Sequence, residues 1–249
     1  MTTTTQSAPT FKLVRASIFH KILITISAVT LVQGTASAVA LTVSNPSFET
    51  PLLGCAPSSG CFQFGMGSPW AVGSAIGSVA TFRPGVGVGG SVNFIPDGSQ
   101  VAAVGNGATF SGLITQDLPD ILAADTTYTL SFYVGSRAEF ITFAPYTVSL
   151  KAGGVLLAQD SGANPAPGDF VLRTLAFNSG SAPAQLGQSF RIEVFESAGG
   201  QALFDGFGLD GTNTSATPEP STSFLAGTGL LIFMATLKRK ASSLLPNHD

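Results

Sequence analysis

The sequence predicts an all-β chain, an antiparallel β-sandwich over residues 41–212, and three observations predict it. Apolar and polar residues alternate in short runs, turn-forming clusters separate those runs at intervals of roughly eight to twelve residues, and helical periodicity is scarce. Thr126 to Gly135 reads T-T-Y-T-L-S-F-Y-V-G, with Tyr128, Leu130 and Phe132 on one face and mostly Thr and Ser on the other. Gly153-Gly154 closes the next alternating run, Tyr146 to Leu150. Phe170 to Phe177, Phe190 to Phe195 and Ala202 to Leu209 repeat the pattern. A Pro/Asn/Ala stretch from Gly162 to Gly168, then Ser179-Gly180-Ser181, then Gly199-Gly200 punctuate them. Alternation of this kind suits sheets with one face in the core and one in water. The first half is looser. Gly85 to Gly90 reads as a glycine-rich loop; with no Lys-Ser/Thr and no helix after it, a phosphate cradle is not expected.

The two ends read as export signals. Lys12, Arg15 and Lys21 precede an apolar core from Ile22 to Val32. Ala36-Ser37-Ala38 and Ala38-Val39-Ala40 then both fit the small-x-small cleavage rule, so residues 1–40 read as a signal peptide cut after Ala38 or Ala40. The stretch before the core is long, and a later start codon would give an ordinary one. At the other end a Thr/Ser-rich linker, 213–222, carries Pro218-Glu219-Pro220. An apolar stretch and the basic stop Lys238-Arg239-Lys240 follow within 223–240, and 241–249 is left as a cytoplasmic tail. The seventeen uncharged residues from Ser221 to Leu237 would reach roughly 25 Å as a helix, the lower edge of a bilayer span. The basic triplet lies where the positive-inside rule puts it. This tail resembles the PEP-CTERM sorting signal of Gram-negative, biofilm-forming bacteria. The resemblance implies an exosortase-type membrane protease and the secretion machinery as partners, and a route through the inner membrane to the cell surface or matrix. Nine residues follow the basic cluster here, so a plain one-span membrane anchor stands as a second reading.

Without its ends the body is acidic. Arg83, Arg137, Lys151, Arg173 and Arg191 face twelve Asp and Glu, five against twelve, a net charge of −7. Nucleic acid and anionic membrane surfaces are poor candidate partners on that balance. Both histidines, His20 and His248, lie in the ends, so a Ser-His-Asp triad, a Cys-His dyad and a His-ligated metal are excluded as well. Cys55 and Cys61, five residues between them, read as a local disulfide in an exported chain.

Short phrases refine the sandwich. Asn45-Pro46-Ser47-Phe48-Glu49 opens the body, Trp70 follows, Pro96-Asp97-Gly98-Ser99 introduces a strand, and Phe204-Asp205-Gly206-Phe207 lies on the last strand. In this order they resemble the galactose-binding-like jelly rolls of carbohydrate-binding modules. They are closer still to the domain shared by exported PEP-CTERM proteins and calcium-dependent cyanobacterial alkaloid cyclases. The resemblance implies a jelly roll whose first and last strands meet, and a structural calcium held by Glu49 and Asp205, with Asn45 a third candidate. Oxygen donors of this kind suit that cation. The alternative is that Glu49 caps a turn and Asp205 accepts backbone amides; Asp97 reads as an Asx-type turn with Gly98.

The sugar-binding candidates are Tyr133, on the face opposite Tyr128, and Trp70, whose other role is core packing; Phe140 to Phe143 reads as a contact rim. Functionally, the sequence favours a non-enzymatic envelope or matrix protein that binds glycan or exopolysaccharide. An enzyme working through carboxylates alone, with Asp205, Glu193 and Glu196 as its acids, is the alternative, and an anchored adhesin the third reading. Glu193 and Glu196, three apart on a strand, fall on opposite faces and make a poor catalytic pair.

Overall fold

The computed structural model describes residues 38–214, apart from 57–59, 76, 89, 108, 140–142, 144 and 163–164, together with Leu230. The signal-peptide, linker, membrane-helix and tail segments expected at 1–37 and 215–249 lie outside the described residues, Leu230 excepted. The strands belong to one compact unit, Ala36–Ala216. In chain order they are β1 (Ala38–Leu41), β2 (Cys61–Phe64), β3 (Ala71–Val72), β4 (Val79–Arg83), β5 (Val101–Gly107) and β6 (Gly112–Ile121). The second half holds β7 (Thr126–Gly135), β8 (Tyr146–Ala152), β9 (Val155–Asp160), β10 (Phe170–Asn178), β11 (Ser189–Glu196) and β12 (Gly200–Asn213).

Two antiparallel sheets face each other, as in a jelly roll. One runs β10-β7-β12-β5-β4-β2 with β1 also on β12; the other runs β3-β6-β11-β8-β9. The alternation in β7 puts Tyr128, Leu130, Phe132 and Val134 into the core between the sheets, where they meet Phe190, Ile192 and Val194 of β11. Each large apolar side chain buried there contributes about 1.5–3 kcal/mol relative to exposure. A second, smaller cluster covers the outer face of the first sheet, built from Ala80, Phe82, Val101, Ala103, Phe170 and Leu203.

Of the two roles the sequence left for Trp70, sugar platform and core, the structure gives it the core. It is 3% exposed and its ring packs on Phe48 (5.1 Å between centroids) and Phe207 (5.2 Å), while its Nε1–H donates to Asn45 O at 3.0 Å. An indole in the core with its one polar atom satisfied is no sugar platform.

The long strand β12 positions the site. On one side it pairs with β7 along most of its length. On the other it pairs with β5 through Ala202–Phe204 and with β1 through Leu209–Thr212, so it changes partner between them. The register against β7 also shifts between Asp205 and Gly208. Asp205 therefore sits in a gap between two strand partners, and the chain segments that leave β1 and enter β5 fill it.

Candidate functional site

Three carboxyl groups converge in that gap. Glu49 Oε1 accepts the amides of Ser99 and Gln100, both at 2.7 Å, and its Oε2 accepts the Ser99 hydroxyl at 3.0 Å. Gly98 is required here: its φ is +68°, and a Cβ would lie 2.4 Å from Glu49 Oε1. Asp205, fully buried, accepts the Asp97 amide at 2.9 Å and the Gly206 amide at 2.8 Å. Burial pushes its carboxyl up to about 8; the two amides pull the other way, and the neighbouring charges of Asp97 and Glu49 add to the rise. Asp97 spends a carboxylate oxygen on the Ser47 hydroxyl rather than on the expected Asx-type turn. Glu49 and Asp205 thus make the turn-capping and amide-accepting contacts that stood as the alternative to calcium.

Asn45 does not join them. Its side-chain amide donates to Thr50 O at 2.9 Å and accepts Thr50 N at 3.0 Å, at a backbone φ of +48°. It closes a local turn and is not placed as a ligand. The remaining donors are carboxyl oxygens, which fit calcium in kind. Among the described residues, however, no group of three Asp, Glu, His or Cys side chains is arranged to hold a metal ion.

A second centre lies on the outer face of the first sheet, and sequence reasoning missed it. Phe62 and Phe64, one strand repeat apart on the edge strand β2, both point outward and meet edge to face at 5.2 Å. With Phe82, Gly105, Arg137 and Gln201 they line a cleft of about 80 Å³. A second lobe of about 190 Å³, reaching Val72 and Ala75, shares Phe64 with the first, so the Phe64 ring stands between the two. The Arg137 guanidinium lies over the Phe82 ring at 4.8 Å and pairs with Glu139 at 3.3 Å. It also donates to Gln201 Oε1 at 3.3 Å, and Gln201 Nε2 donates in turn to Gly105 O at 3.1 Å. The Cys55–Cys61 disulfide is formed, and Arg83 donates to Leu53 O and Cys55 O, both at 3.0 Å. Together these tether the loop that delivers β2 to the cleft.

Beneath the Gly105 floor lies Glu196. It is fully buried on the inward face of β11, and neither carboxylate oxygen has a hydrogen-bond partner among the described residues. Burial alone raises it to about 8. The sequence names it as a candidate acid, and the alternation Phe190, Ile192, Val194, Glu196 puts it on the core face. Glu193, on the opposite face as expected, pairs with Lys151 at 2.8 Å. Tyr133 is half-buried against the outer cluster, its ring beside Gly206, and does not line the cleft. Of the expected contact rim, 140–142 lie outside the described residues, and Phe143 packs inward on Tyr146 at 5.9 Å.

Known structures share this architecture. A Stig cyclase, Fisc from Fischerella sp. TAU, in complex with (3Z)-3-(1-methyl-2-pyrrolidinylidene)-3H-indole, aligns at TM-score 0.63 and 22% identity, over 72% of this chain and 100% of its own. A cyclase from the same organism in complex with 4-(1H-indol-3-yl)butan-2-one aligns at TM-score 0.61 and 21% identity, over 72% and 100%. The carbohydrate-binding module TmCBM61, in complex with β-1,4-galactotriose, is a more distant neighbour at TM-score 0.44 and 17% identity, over 68% and 97%. No curated protein matches in sequence. At these identities the structures show the fold alone. The family model of HpiC1 cyclase matches residues 39–210, well over half of the chain, and this overturns the expectation of a non-enzymatic protein. The missing histidines had excluded only His-dependent chemistry, and a ring-closing enzyme needs none. The chain belongs to the HpiC1-like cyclase family.

Proposed function

We propose that this protein is an exported cyclase that closes a ring in a small, unsaturated, aromatic molecule of the indole kind. The observation that carries the reading is the two-lobed cleft around Phe64, walled by Phe62 and Phe82 and with no carboxylate in its lining among the described residues. Aromatic faces stabilise the positive charge that develops when a π-bond is protonated and attacked from within the same molecule. The apolar lobes exclude the water that would otherwise capture the cation. Arg137, held over Phe82 and against Gln201, brings a positive charge to the cleft wall.

Calcium held by Glu49, Asp97 and Asp205 would supply charge neutralisation at the β12 partner switch, and the reaction uses these residues only to hold the strands in place. The N-terminal stretch that reads as a signal peptide and the PEP-CTERM-like tail support work outside the cytoplasm, a reading that mass spectrometry of both mature termini tests. The cleft itself is tested by calorimetry with 4-(1H-indol-3-yl)butan-2-one. Binding is expected, and the F62A/F64A double variant should weaken it at least roughly tenfold, because both rings are on the surface and the fold does not depend on them. No heat of binding to the wild type would refute the cleft reading.

A further inference from the structure

The outer face of the second sheet carries a shallow groove that the ring-closing reaction does not use. It holds about 380 Å³, a volume suited to a small ligand, and crosses β11, β8 and β9. Alternation along β8 sends Tyr146, Val148, Leu150 and Ala152 into the core and leaves Thr147, Ser149 and Lys151 facing the groove. Strand register sets their neighbours: Thr147 lies beside Phe195, Ser149 between Glu193 and Gln159, and Lys151 beside Leu156. From Thr147 to Lys151 the strand covers about 13 Å, long enough for a short run of linked rings.

The middle position is the informative one. Ser149 is only 6% exposed, yet its hydroxyl has no hydrogen-bond partner among the described residues. A hydroxyl buried to that degree is ordinarily bonded, and this one faces the groove. The side chains of Thr147 and Gln159 likewise have no hydrogen-bond partner among the described residues. The charges here, by contrast, are matched. Lys151 pairs with Glu193 at 2.8 Å, and Arg191 next to it pairs with Asp117 at 2.6 Å. An ion entering the groove would find its counter-charge already spent.

We infer that this groove binds a segment of a neutral polysaccharide, with Ser149 and Gln159 bonding its hydroxyls and Phe195 carrying the C–H face of a sugar ring. Hydroxyl and carboxamide groups both donate and accept, as sugar hydroxyls do. Lys151 keeps donors beyond the one given to Glu193 Oε1, and Glu193 keeps its other oxygen as an acceptor. Phe195 is 40% exposed and Leu156 48%, so apolar surface stands at both ends of the polar floor. That mixture of polar edge and apolar face is the character of a pyranose. The groove lies on the other sheet from the Phe64 cleft, so its occupation leaves the cleft open and does not depend on the cyclase reading. A cyclase so equipped stays on a polysaccharide matrix while its small aromatic substrate reaches the opposite face.

Native electrophoresis of the full-length protein through gels containing galactan, β-glucan or mannan, with alginate as the polyanion, reads the binding. At least one neutral polymer should retard the wild type, and alginate should not. S149A removes a hydroxyl that bonds nothing in the described chain, so its melting temperature should hold while retention weakens about threefold to tenfold, the worth of one hydrogen bond. F195A removes an exposed ring and should weaken retention roughly tenfold. Both variants should bind 4-(1H-indol-3-yl)butan-2-one like wild type, and F62A/F64A should keep full retention. Wild type retarded by none of the neutral polymers overturns the inference and leaves the cleft reading untouched. Retention of S149A and F195A equal to wild type, or equal retention by alginate, overturns it too. Retention abolished by free glucose or galactose at the same mass concentration would overturn the polymer as occupant. Loss of retention in F62A/F64A would move the sugar to the cleft and overturn both readings.

Discussion

Replacing Gly105 by alanine tests the space shared by β5 and Glu196. Two costs add. An L-residue at φ +85° is strained by about 1–2 kcal/mol. The new methyl also lands 1.9 Å from Glu196 Oε2, an overlap that forces the carboxyl or the strand aside. Overpacking of this kind costs about 1–3 kcal/mol, so Gly105→Ala should destabilise by about 2–5 kcal/mol in all. For a domain of this size each kcal/mol moves the melting point by about 2–4 °C, which puts the expected drop at roughly 4–20 °C. Thermal unfolding followed by circular dichroism at pH 6, where Glu196 is protonated, measures it. The same substitution in an E196A background isolates the cause: the overlap is gone, the backbone strain remains, and the cost should fall to about 1–2 kcal/mol. Equal costs in the two backgrounds would refute the placement of the carboxyl against Gly105.

Glu196 also gives stability a pH dependence. Its folded value of about 8 lies above the ordinary 4.5, so between those limits the unfolded chain ionises while the folded one does not. Stability should fall as pH rises through that window, by at most about 1.4 kcal/mol per pH unit, and level off above it. Denaturant melts of E196Q should lack that component, and parallel pH profiles for the two proteins would count against it. Trp70→Ala should cost about 3–5 kcal/mol as a core truncation, and a surface-like loss below about 1 kcal/mol would contradict its burial. Removing the disulfide with C55S/C61S should cost about 2 kcal/mol or less, since the loop is short, yet weaken binding of the indole ketone by freeing β2; unchanged affinity would separate the disulfide from the cleft. EGTA should lower the wild-type melting temperature and leave that of D205N unmoved if calcium sits at the β12 gap, and an unchanged wild-type melt would remove calcium from the account.

The strands of the second half were legible because their residues alternate cleanly. The predicted 126–135 coincides with β7, and the runs from Tyr146, Phe170, Phe190 and Ala202 fall within β8, β10, β11 and β12. The second sheet's edge strand β9, V-L-L-A-Q-D, escaped because it has little inward face: Val155 and Leu156 are exposed. Between them β1–β4 hold too few residues to show a period, and three of the four strands are mostly exposed. The carboxylate gap was half legible: the resemblance grouped Glu49, Asp205 and Asn45, and the structure ties the Asn45 side chain to Thr50 instead. The cleft was not legible at all. Phe62 and Phe64 flank Gln63 in a four-residue strand, and only the tertiary fold brings Phe82, Arg137 and Gln201 beside them.

The first strand overlaps the cleavage sites that the sequence suggests. β1 begins at Ala38, and all four of its residues cover the half of β12 that β5 leaves bare. A signal peptidase cut after Ala38 would keep Val39, Ala40 and Leu41 in place. A cut two residues later, after Ala40, would leave Leu41 alone and open Asp210 to Thr212 as a raw sheet edge. Such an edge is a template for another chain's strand. Were the chain exported and cut here, the choice between the bonds after Ala38 and after Ala40 would decide whether the sheet is released closed or adhesive toward its own kind.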